Sequence, residues 1–221
     1  MPKNTEDTHI DFHLPVASHV ESLDWVPSPS ETVWRRTLYR EGGEPGPVTS
    51  FVRFTRDSRF PPHGHPEGEE ILVLEGVFSD ETGDYPAGTF LLNPSGSAHS
   101  PGSREGCLLF VHLRQYAGTG RAQCALDTNA QAWRPTANER VLEKLLYSQE
   151  GFSERISLQL WHPGAHVTLP PADRHREILI LQGGLDGSPG AHRATTWLRF
   201  PASHTVELHS GTGATVYFRE A

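Results

Sequence analysis

Short runs of β-branched and aromatic residues recur through the first half of the chain at spacings of about eight to twelve residues. Clusters of Gly, Pro and Asp separate these runs, and such residues favour tight turns. Short apolar runs divided by turn residues are typical of strands in an antiparallel sandwich or barrel. We therefore predict strands over 33–39, 50–54, 71–74, 89–92 and 107–113.

The second half of the chain repeats this pattern at a constant offset of 107 residues. The segment EEILVLEG at 69–76 aligns with REILILQG at 176–183, and Pro94 aligns with Pro201 in the same register. An ordered series of matches at one offset indicates an internal duplication. Residues 138–148 have a helix-like composition, but the repeat predicts that they form the first strand of the second half. We thus expect an all-β protein with two tandem barrels.

The same pattern divides the chain into four segments. Residues 1–30 are polar, contain Pro15, Pro27 and Pro29, and are predicted to form an N-terminal arm. The first barrel is predicted over 31–117 and the second over 138–221. Residues 118–137 contain few large apolar side chains and are predicted to be a linker.

Composition and charge limit the kinds of partner that we expect the protein to bind. The 221 residues include 19 Lys and Arg against 27 Asp and Glu, for a net charge of −8, and the cationic residues are scattered. Nucleic-acid binding requires a basic cluster, so we expect no direct nucleic-acid partner. No segment has the apolar run needed for a transmembrane helix or a signal peptide. We therefore predict a cytoplasmic protein without a membrane partner.

The cysteine and histidine content determines which donors a metal site would use. Cys107 and Cys124 are the only cysteines, too few for a disulfide framework or a zinc ribbon, whereas the chain has thirteen histidines. His63 and His65 are separated by one residue, so in a strand both project to one face, and Glu69 shares their parity. These three residues are the first candidate ligands.

His99 completes the candidate site. It follows a Pro/Gly turn after which a second strand could return across the first. Three imidazoles and a carboxylate suit one divalent ion such as Zn, Fe, Mn, Ni or Cu, and the spacing does not choose among them. Glu70 faces away from Glu69 in a strand, and its repeat partner Glu177 is retained, which favours a structural salt bridge or a strand-pairing role for both.

The same residues match the two sequence motifs of the cupin superfamily, which the chain resembles. The first motif, G-x5-HxH-x3,4-E-x6-G, lacks only its leading Gly, and the second, G-x5-PxG-x2-H-x3-N, has Ser103 in place of its final Asn. The matching residues are His63, His65, Glu69, Gly76, Gly88, Pro94, Gly96 and His99. The resemblance implies a double-stranded β-helix, or jelly-roll, barrel in each half, with the metal site in the first.

More narrowly, residues 25–116 resemble the ChrR-type cupin domain of bacterial anti-sigma factors of the ECF class. The phrases WVPSPSETVWRRTLYREGGE and LNPSGSAHSPGSREGCLLFVHLRQY carry this resemblance. It implies zinc on His63, His65, Glu69 and His99 in a domain related to transcription regulation. The sigma-binding domain of those regulators has a His-x3-Cys-x2-Cys motif, and residues 1–30 contain no cysteine. We therefore do not expect direct binding to a sigma factor.

The second half lacks every counterpart of the four candidate ligands. At the offset of 107 residues, their places are taken by Pro170, Ala172, Arg176 and Val206. A guanidinium at position 176 would repel a metal ion and attract a carboxylate, either from the protein or from an anionic ligand. We predict that residues 138–221 form a degenerate barrel, so that each chain binds one ion.

Three functions are compatible with these features. The first is a metal-binding regulatory or sensing module like the ChrR cupin. The second is an Fe(II)-dependent dioxygenase, in which the three-His, one-Glu site leaves positions for O₂ and a small diketone or hydroxyketone. The third is a structural bicupin whose zinc only supports folding. A small-molecule ligand is the partner expected for the first two. The resemblance to cupins, which commonly pair through exposed sheet edges, implies a homodimer.

Overall fold

A computed structural model describes residues 13–43, 45–187 and 190–221 of the protein. These residues contain the following strands: β1 (Val16–His19), β2 (Val26–Pro27), β3 (Val33–Arg40), β4 (Val48–Phe54), β5 (Ser58–Arg59), β6 (His63–His65), β7 (Glu69–Asp80), β8 (Gly83–Pro86), β9 (Thr89–Asn93), β10 (Ser97–His99), β11 (Gly102–Ser103), β12 (Cys107–Leu113), β13 (Cys124–Asp127), β14 (Arg134–Pro135), β15 (Val141–Ser148), β16 (Arg155–Trp161), β17 (Ala165–Leu169), β18 (Arg176–Gly187), β19 (Gly190–Arg193), β20 (Thr196–Phe200), β21 (Val206–Ser210) and β22 (Ala214–Glu220). A 3-10 helix covers Val20–Ser22. In the described part of the chain, no helix is long and apolar enough to cross a membrane.

The chain divides into two compact units, each built around a large antiparallel sheet. The first unit contains Leu23–Ala130, and the second contains Gln131–Ala221 with the described part of residues 10–22. The main sheet has the order β13-β9-β7-β12-β4-β3-β2 in the first unit and β1-β20-β18-β22-β16-β15-β14 in the second. The two orders correspond strand for strand. The all-β fold with two duplicated jelly-roll barrels is therefore confirmed.

Details of the strands repeat as well. Strands β7 and β18 are both 12 residues long, with nearly the same alternation of buried and exposed positions. A β-bulge interrupts β3 between Thr37 and Tyr39, and another interrupts β15 between Leu145 and Tyr147. The stretch with helix-like composition thus forms β15, as the repeat predicted. Its burial on a sheet outweighs the intrinsic helix propensity of its residues.

Gly76, which ends the first cupin motif, cannot be replaced by a larger residue for steric reasons. Gly76 has a φ of 71°, and a Cβ atom at this position would collide with the carbonyl oxygen of Gly106 on the neighbouring strand. Gly183 has a φ of 78° and meets Gly213 in the same way. Because only glycine combines this conformation with so close a backbone approach, both halves retain it.

Both segments predicted to lie outside the barrels contribute strands. Strand β1, in the predicted arm, pairs with β20 of the second unit, and β13, in the predicted linker, pairs with β9 of the first. Each lies at one end of its main sheet order. An edge strand is held by backbone hydrogen bonds along one side and needs no continuous apolar run, so composition alone did not reveal it. Residues 1–12 of the predicted arm lie outside the described residues.

The interiors of the two barrels differ in how they are filled. In the second unit, Trp161, Phe200 and Val206 are buried in a continuous apolar core. At the corresponding places the first unit has Phe54, Asn93 and His99. The polar residues of the first barrel therefore line an interior that the second barrel fills with apolar side chains.

Candidate metal centre

Two short strands and the start of a long one bring the four candidate ligands together. Strand β10 pairs with β6, which places His99 opposite His63, and Glu69 is the first residue of β7. One ligand atom from each of His63, His65, Glu69 and His99 lies within 4.8 Å of the others. Such a group of imidazole and carboxylate donors has the composition of a metal site.

Hydrogen bonds on the outer side of two rings fix which nitrogen faces the cluster. Nδ1 of His63 lies 3.0 Å from the carbonyl oxygen of Pro61, and Nδ1 of His65 lies 3.0 Å from Oγ of Ser97. A carbonyl oxygen only accepts, so Nδ1 of His63 carries the proton and Nε2 keeps its lone pair. Outer partners of this kind orient histidines that bind metals. Nε2 of His65 is buried and has no hydrogen-bond partner.

His99 and Glu69 are held in a similar way. Nδ1 of His99 lies 3.4 Å from Oδ2 of Asp80, and Nδ2 of Asn93 donates a hydrogen bond of 3.2 Å to Oε2 of Glu69. That same carboxylate oxygen lies 3.3 Å from Nε2 of His65 and 3.5 Å from Nε2 of His99. Nε2 of His99, like Nε2 of His65, is buried without a hydrogen bond. Buried polar atoms are nearly always satisfied in proteins, so these orphaned nitrogens fit a metal ion as the missing partner.

The electrostatics of the cluster suit a cation. Burial, together with the neighbouring His99 and His63, lowers the pKa of His65 to about 4, so its ring is neutral at pH 7. Burial raises the pKa of Glu69 to about 7, although the hydrogen bond from Asn93 and the charge of Arg35 oppose this rise. Neutral imidazoles beside a carboxylate deprived of water form a donor set that a divalent cation would stabilise.

A cavity of about 170 Å³ adjoins the cluster inside the first barrel. All four candidate ligands line it, and most of the remaining wall is apolar. Representative apolar residues of this wall are Val33, Val52, Phe54, Ile71, Leu109 and Val111. A structural metal site is normally closed by protein ligands, whereas a catalytic site keeps a position open for water or substrate. The cavity gives this site space for such an exogenous ligand.

The second barrel replaces the cluster with an ion pair. Arg176, at the place of Glu69, is 3% exposed, and its Nε donates a hydrogen bond of 3.0 Å to Oε1 of Glu220. The carboxylate expected beside this guanidinium therefore comes from the protein itself. His175 lies near Glu177, and His204 stacks against the ring of Phe200. That this half binds no metal stays a prediction.

Glu70 and Glu177, which directly follow Glu69 and Arg176, have the structural role expected of them. Oε1 of Glu177 accepts a hydrogen bond of 2.9 Å from Nη1 of Arg219, and both side chains are buried. Glu70 lies 3.7 Å from Nδ1 of His112, which corresponds to Arg219 in the repeat, and accepts a hydrogen bond from the hydroxyl of Tyr116. Both halves thus satisfy a buried carboxylate at this position.

Several residues around the site were not identified from the sequence. Asp80 and Asn93 contact the candidate ligands from the ends of β7 and β9, and Ser97 does so from β10. Their spacing follows no metal-binding motif, because each acts on a ligand rather than on an ion. The repeat offered one signal, because the second half has Gly187, Phe200 and His204 at these three positions. Asp80, Asn93 and Ser97 are therefore absent from the second half together with the ligands.

The two jelly-roll barrels, with the His-His-Glu-His cluster in one of them, define a bicupin. A family model of the ChrR cupin-like domain matches residues 14–117. The chain is therefore a cupin that carries a ChrR-type cupin domain in its N-terminal half. No curated protein matches the sequence.

Solved structures of other cupins share the fold across both halves of the chain. A candidate dioxygenase from Nostoc punctiforme has a TM-score of 0.80 at 15% identity, covering 95% of this chain and 83% of that one. A bacterial pirin from Escherichia coli, solved with nickel(II), has a TM-score of 0.68 at 13% identity, covering 94% and 98%. A cupin 2 conserved barrel protein from Leptotrichia buccalis has a TM-score of 0.64 at 11% identity, covering 98% and 100%. At these identities the likeness concerns the fold.

Proposed function

We propose that the first barrel is a metal-dependent enzyme of the dioxygenase type, with one divalent ion held by His63, His65, Glu69 and His99. The observation that carries the proposal is the cavity that these four residues share with an apolar wall. A purely structural zinc site would need no such space next to its ligands. A small organic molecule therefore fits the site better than an ion alone.

The chain's own residues supply a defined environment for this reaction. The imidazoles of His65 and His99 are neutral and buried, and the apolar wall excludes bulk water from the space beside them. A bound iron(II) ion would supply the redox chemistry with O₂ that no side chain provides. In the cleavage of a 1,3-diketone, both atoms of one O₂ enter the products and the bond between one carbonyl carbon and the central carbon breaks. A carboxylic acid and a dicarbonyl compound form, so no external reductant is consumed.

The comparisons support a metal-dependent enzyme without specifying the reaction. One fold neighbour is described as a candidate dioxygenase, and another was solved with nickel(II). The match covers 83% and 98% of those two chains, so both are similar in length to this one. Iron is the metal we propose for turnover, because an O₂-dependent cleavage requires a redox-active ion.

Oxygen uptake by the iron(II)-loaded protein tests this proposal. Protein loaded anaerobically is mixed with O₂ and a panel of small diketones and hydroxyketones, and its metal content is measured on the same sample. We expect about one iron per chain and uptake that depends on substrate. The double variant His65→Ala, His99→Ala should lose both, whereas His204→Ala, which changes a histidine of the second barrel, should lose neither. Full iron loading without uptake on any compound would contradict the enzymatic role.

A regulatory role is the second candidate, and the match to the ChrR cupin-like domain favours it. In this role the ion would be zinc, and a ligand entering the cavity would change the stability of the barrel instead of being converted. The same preparation distinguishes the two candidates. Tightly held zinc in protein purified without added metal, combined with ligand binding and no turnover, would favour the regulator.

A further inference from the structure

A row of polar side chains runs from the edge of the first barrel to the candidate ligand Glu69. Asn93, the last residue of β9, lies directly opposite Glu69 on β7. On its other side β9 pairs with the edge strand β13, where Cys124 opposes Leu92. The next pair in this register is Gln123 with Asn93. Because directly opposite residues on antiparallel strands project to the same face, these side chains can contact one another in turn.

Hydrogen bonds join Gln123, Asn93 and Glu69 into an amide relay that runs in one direction. Nε2 of Gln123 donates a hydrogen bond of 3.2 Å to Oδ1 of Asn93, and Nδ2 of Asn93 donates one of 3.2 Å to Oε2 of Glu69. A carboxylate that binds an ion only accepts hydrogen bonds, so Glu69 requires the NH₂ group of Asn93 on its side. The carbonyl oxygen of Asn93 then faces Gln123, whose NH₂ group satisfies it.

The amide relay connects a buried site with the surface. Glu69 and Asn93 are each 6% exposed, whereas Gln123 is an exposed residue. Oε2 of Glu69, which accepts from Asn93, is also the oxygen that lies 3.3 Å from Nε2 of His65 and 3.5 Å from Nε2 of His99. The relay thus acts on the carboxylate oxygen that faces the other candidate ligands. An amide at the surface therefore influences how Glu69 is held.

Strand β13, which begins directly after Gln123, is held mainly by its backbone. It lies at one end of the main sheet order, and its four side chains alternate between partly buried and exposed. An edge strand with few buried contacts opens more readily than a central strand. An interaction between this end of β13 and the metal site can therefore change how firmly β13 is docked on β9.

The corresponding row of the second barrel contains other kinds of side chain. Phe200 and Arg176 stand at the places of Asn93 and Glu69, and they also oppose each other. The edge strand there is β1, whose register continues to Pro15 beside Phe200. Proline and phenylalanine side chains form no hydrogen bonds, yet the sheet has the same strand order. The fold therefore does not require the amide relay, which accompanies the candidate ligands.

We propose that Gln123 is a positioning residue for the metal ion, acting through Asn93 on Glu69, and that ion binding and docking of β13 are coupled through it. This role rests on the proposed function only in requiring an ion on Glu69, and goes beyond it by making an edge strand a regulatory element of the site. Such coupling is reciprocal: if docking of β13 strengthens ion binding by some factor, ion binding strengthens docking by the same factor. The coupling can therefore be measured from either side.

The substitution Gln123→Glu separates the amide relay from a simple effect of charge. A carboxylate at position 123 accepts and does not donate, so it favours the opposite orientation of Asn93, with the carbonyl oxygen against Glu69. Because these oxygens repel, the affinity for nickel(II) in a chelator competition should fall about tenfold, the lower end of the range for loss of an outer partner. The added negative charge by itself would strengthen cation binding. The sign of the change thus distinguishes the two effects.

Two further variants provide the controls. Ala122→Glu adds the same charge at the preceding residue, which is exposed and outside the amide relay, so its affinity for nickel should equal or slightly exceed that of the unmodified protein. Asn93→Leu removes the middle of the relay. In this background Gln123→Glu should change the affinity by less than about twofold, the usual limit of additivity. A residue that only supported the fold would lower the affinity equally in both backgrounds.

Hydrogen exchange of β13, followed by mass spectrometry, gives the reciprocal measurement. Gln123→Ala removes the first donor of the relay and should weaken nickel binding roughly threefold, less than Gln123→Glu because Asn93 keeps its orientation. Saturating nickel should slow exchange of the amides of Cys124–Asp127 in the unmodified protein by the same factor. In Gln123→Ala this response of β13 to nickel should disappear.

Unchanged or tighter nickel binding by Gln123→Glu would overturn the positioning role of Gln123, and so would an equal fall in the Asn93→Leu background. Exchange of β13 that does not respond to nickel would overturn the coupling. An unmodified protein that takes up no nickel would refute the proposed function itself. The two failures are therefore distinguishable.

Discussion

Replacing Asp80 by Asn should weaken metal binding in the first barrel without abolishing it. Asp80 does not belong to the candidate ligands, but its Oδ2 lies 3.4 Å from Nδ1 of His99. A carboxylate there requires Nδ1 to carry the proton, which leaves the lone pair of Nε2 for the ion. Thr82 donates to Asp80 through both its backbone N–H and its hydroxyl, at 2.7 and 2.6 Å, so the carboxylate is held in place.

The expected loss of metal affinity follows from the one ligand, His99, whose tautomer changes. An amide at position 80 can turn its NH₂ group toward Nδ1, which favours the tautomer whose proton is on Nε2. Loss of such an outer partner typically weakens metal affinity 10- to 100-fold, or about 1.4–2.8 kcal/mol. A competition titration with a chelator measures this change. At saturating metal the variant should still hold one ion per chain, because the three other ligands and the fold are unchanged.

Asp84 provides the control for this prediction. It lies on β8 of the same hairpin, is exposed, and loses the same charge in Asp84→Asn. The affinity of this variant should stay within about twofold of the unmodified protein, because charges exposed to water and salt are strongly screened. Equal weakening by both substitutions would mean that net charge, and not the tautomer of His99, controls the affinity. An Asp80 variant with unchanged affinity would refute the reasoning directly.

Three further predictions concern stability. Removing the metal by chelation should lower the Tm of the first unit in calorimetry, because it leaves the buried nitrogens of His65 and His99 unsatisfied; an unchanged curve after verified removal would contradict this. Trp161→Ala should cost about 3–5 kcal/mol in urea unfolding, whereas the exposed Leu145→Ala should cost less than about 0.5 kcal/mol. Burial lowers the pKa of His175 below 6.5, although Glu177 opposes this effect. Protonation of His175 therefore favours the unfolded chain, and stability should fall as the pH drops below about 6.5. His175→Gln should reduce this fall, measured as Tm at pH 7 and pH 5.5.

Much of the fold follows from the sequence because the same pattern occurs twice. Strands β7 and β18 appeared as apolar runs at one offset, and the repeat identified β15 where local propensity indicated a helix. The edge strands β1 and β13 could not be found in this way. Their partners are β20 and β9, which lie far away in sequence, and backbone pairing at an edge imposes little on side chains. The boundaries of the barrels therefore differ from the ends of the apolar runs.

The candidate ligands were recognisable because metal coordination constrains spacing. His63 and His65 must share a face, and Glu69 must follow at the start of the next strand. The groups around them obey no such constraint. Asp80 acts on His99 from the end of β7, and Arg35 enters the cavity from β3, so only the assembled barrel shows that they belong to one site.

The second barrel shows how a cupin interior is filled where the four candidate ligands are replaced. In the first barrel, Glu69 opposes Leu113 on the neighbouring strand, and a divalent ion would balance the buried carboxylate. In the second, Arg176 opposes Glu220 in the same register. The guanidinium of Arg176 thus supplies the positive charge in place of an ion, and the carboxylate of Glu220 on the adjacent strand pairs with it. Because Arg176 is buried, removing the Glu220 carboxylate would leave its guanidinium uncompensated, which is costly. Val206 in place of His99 and Phe200 in place of Asn93 fill space beside this pair that would otherwise hold polar groups without partners.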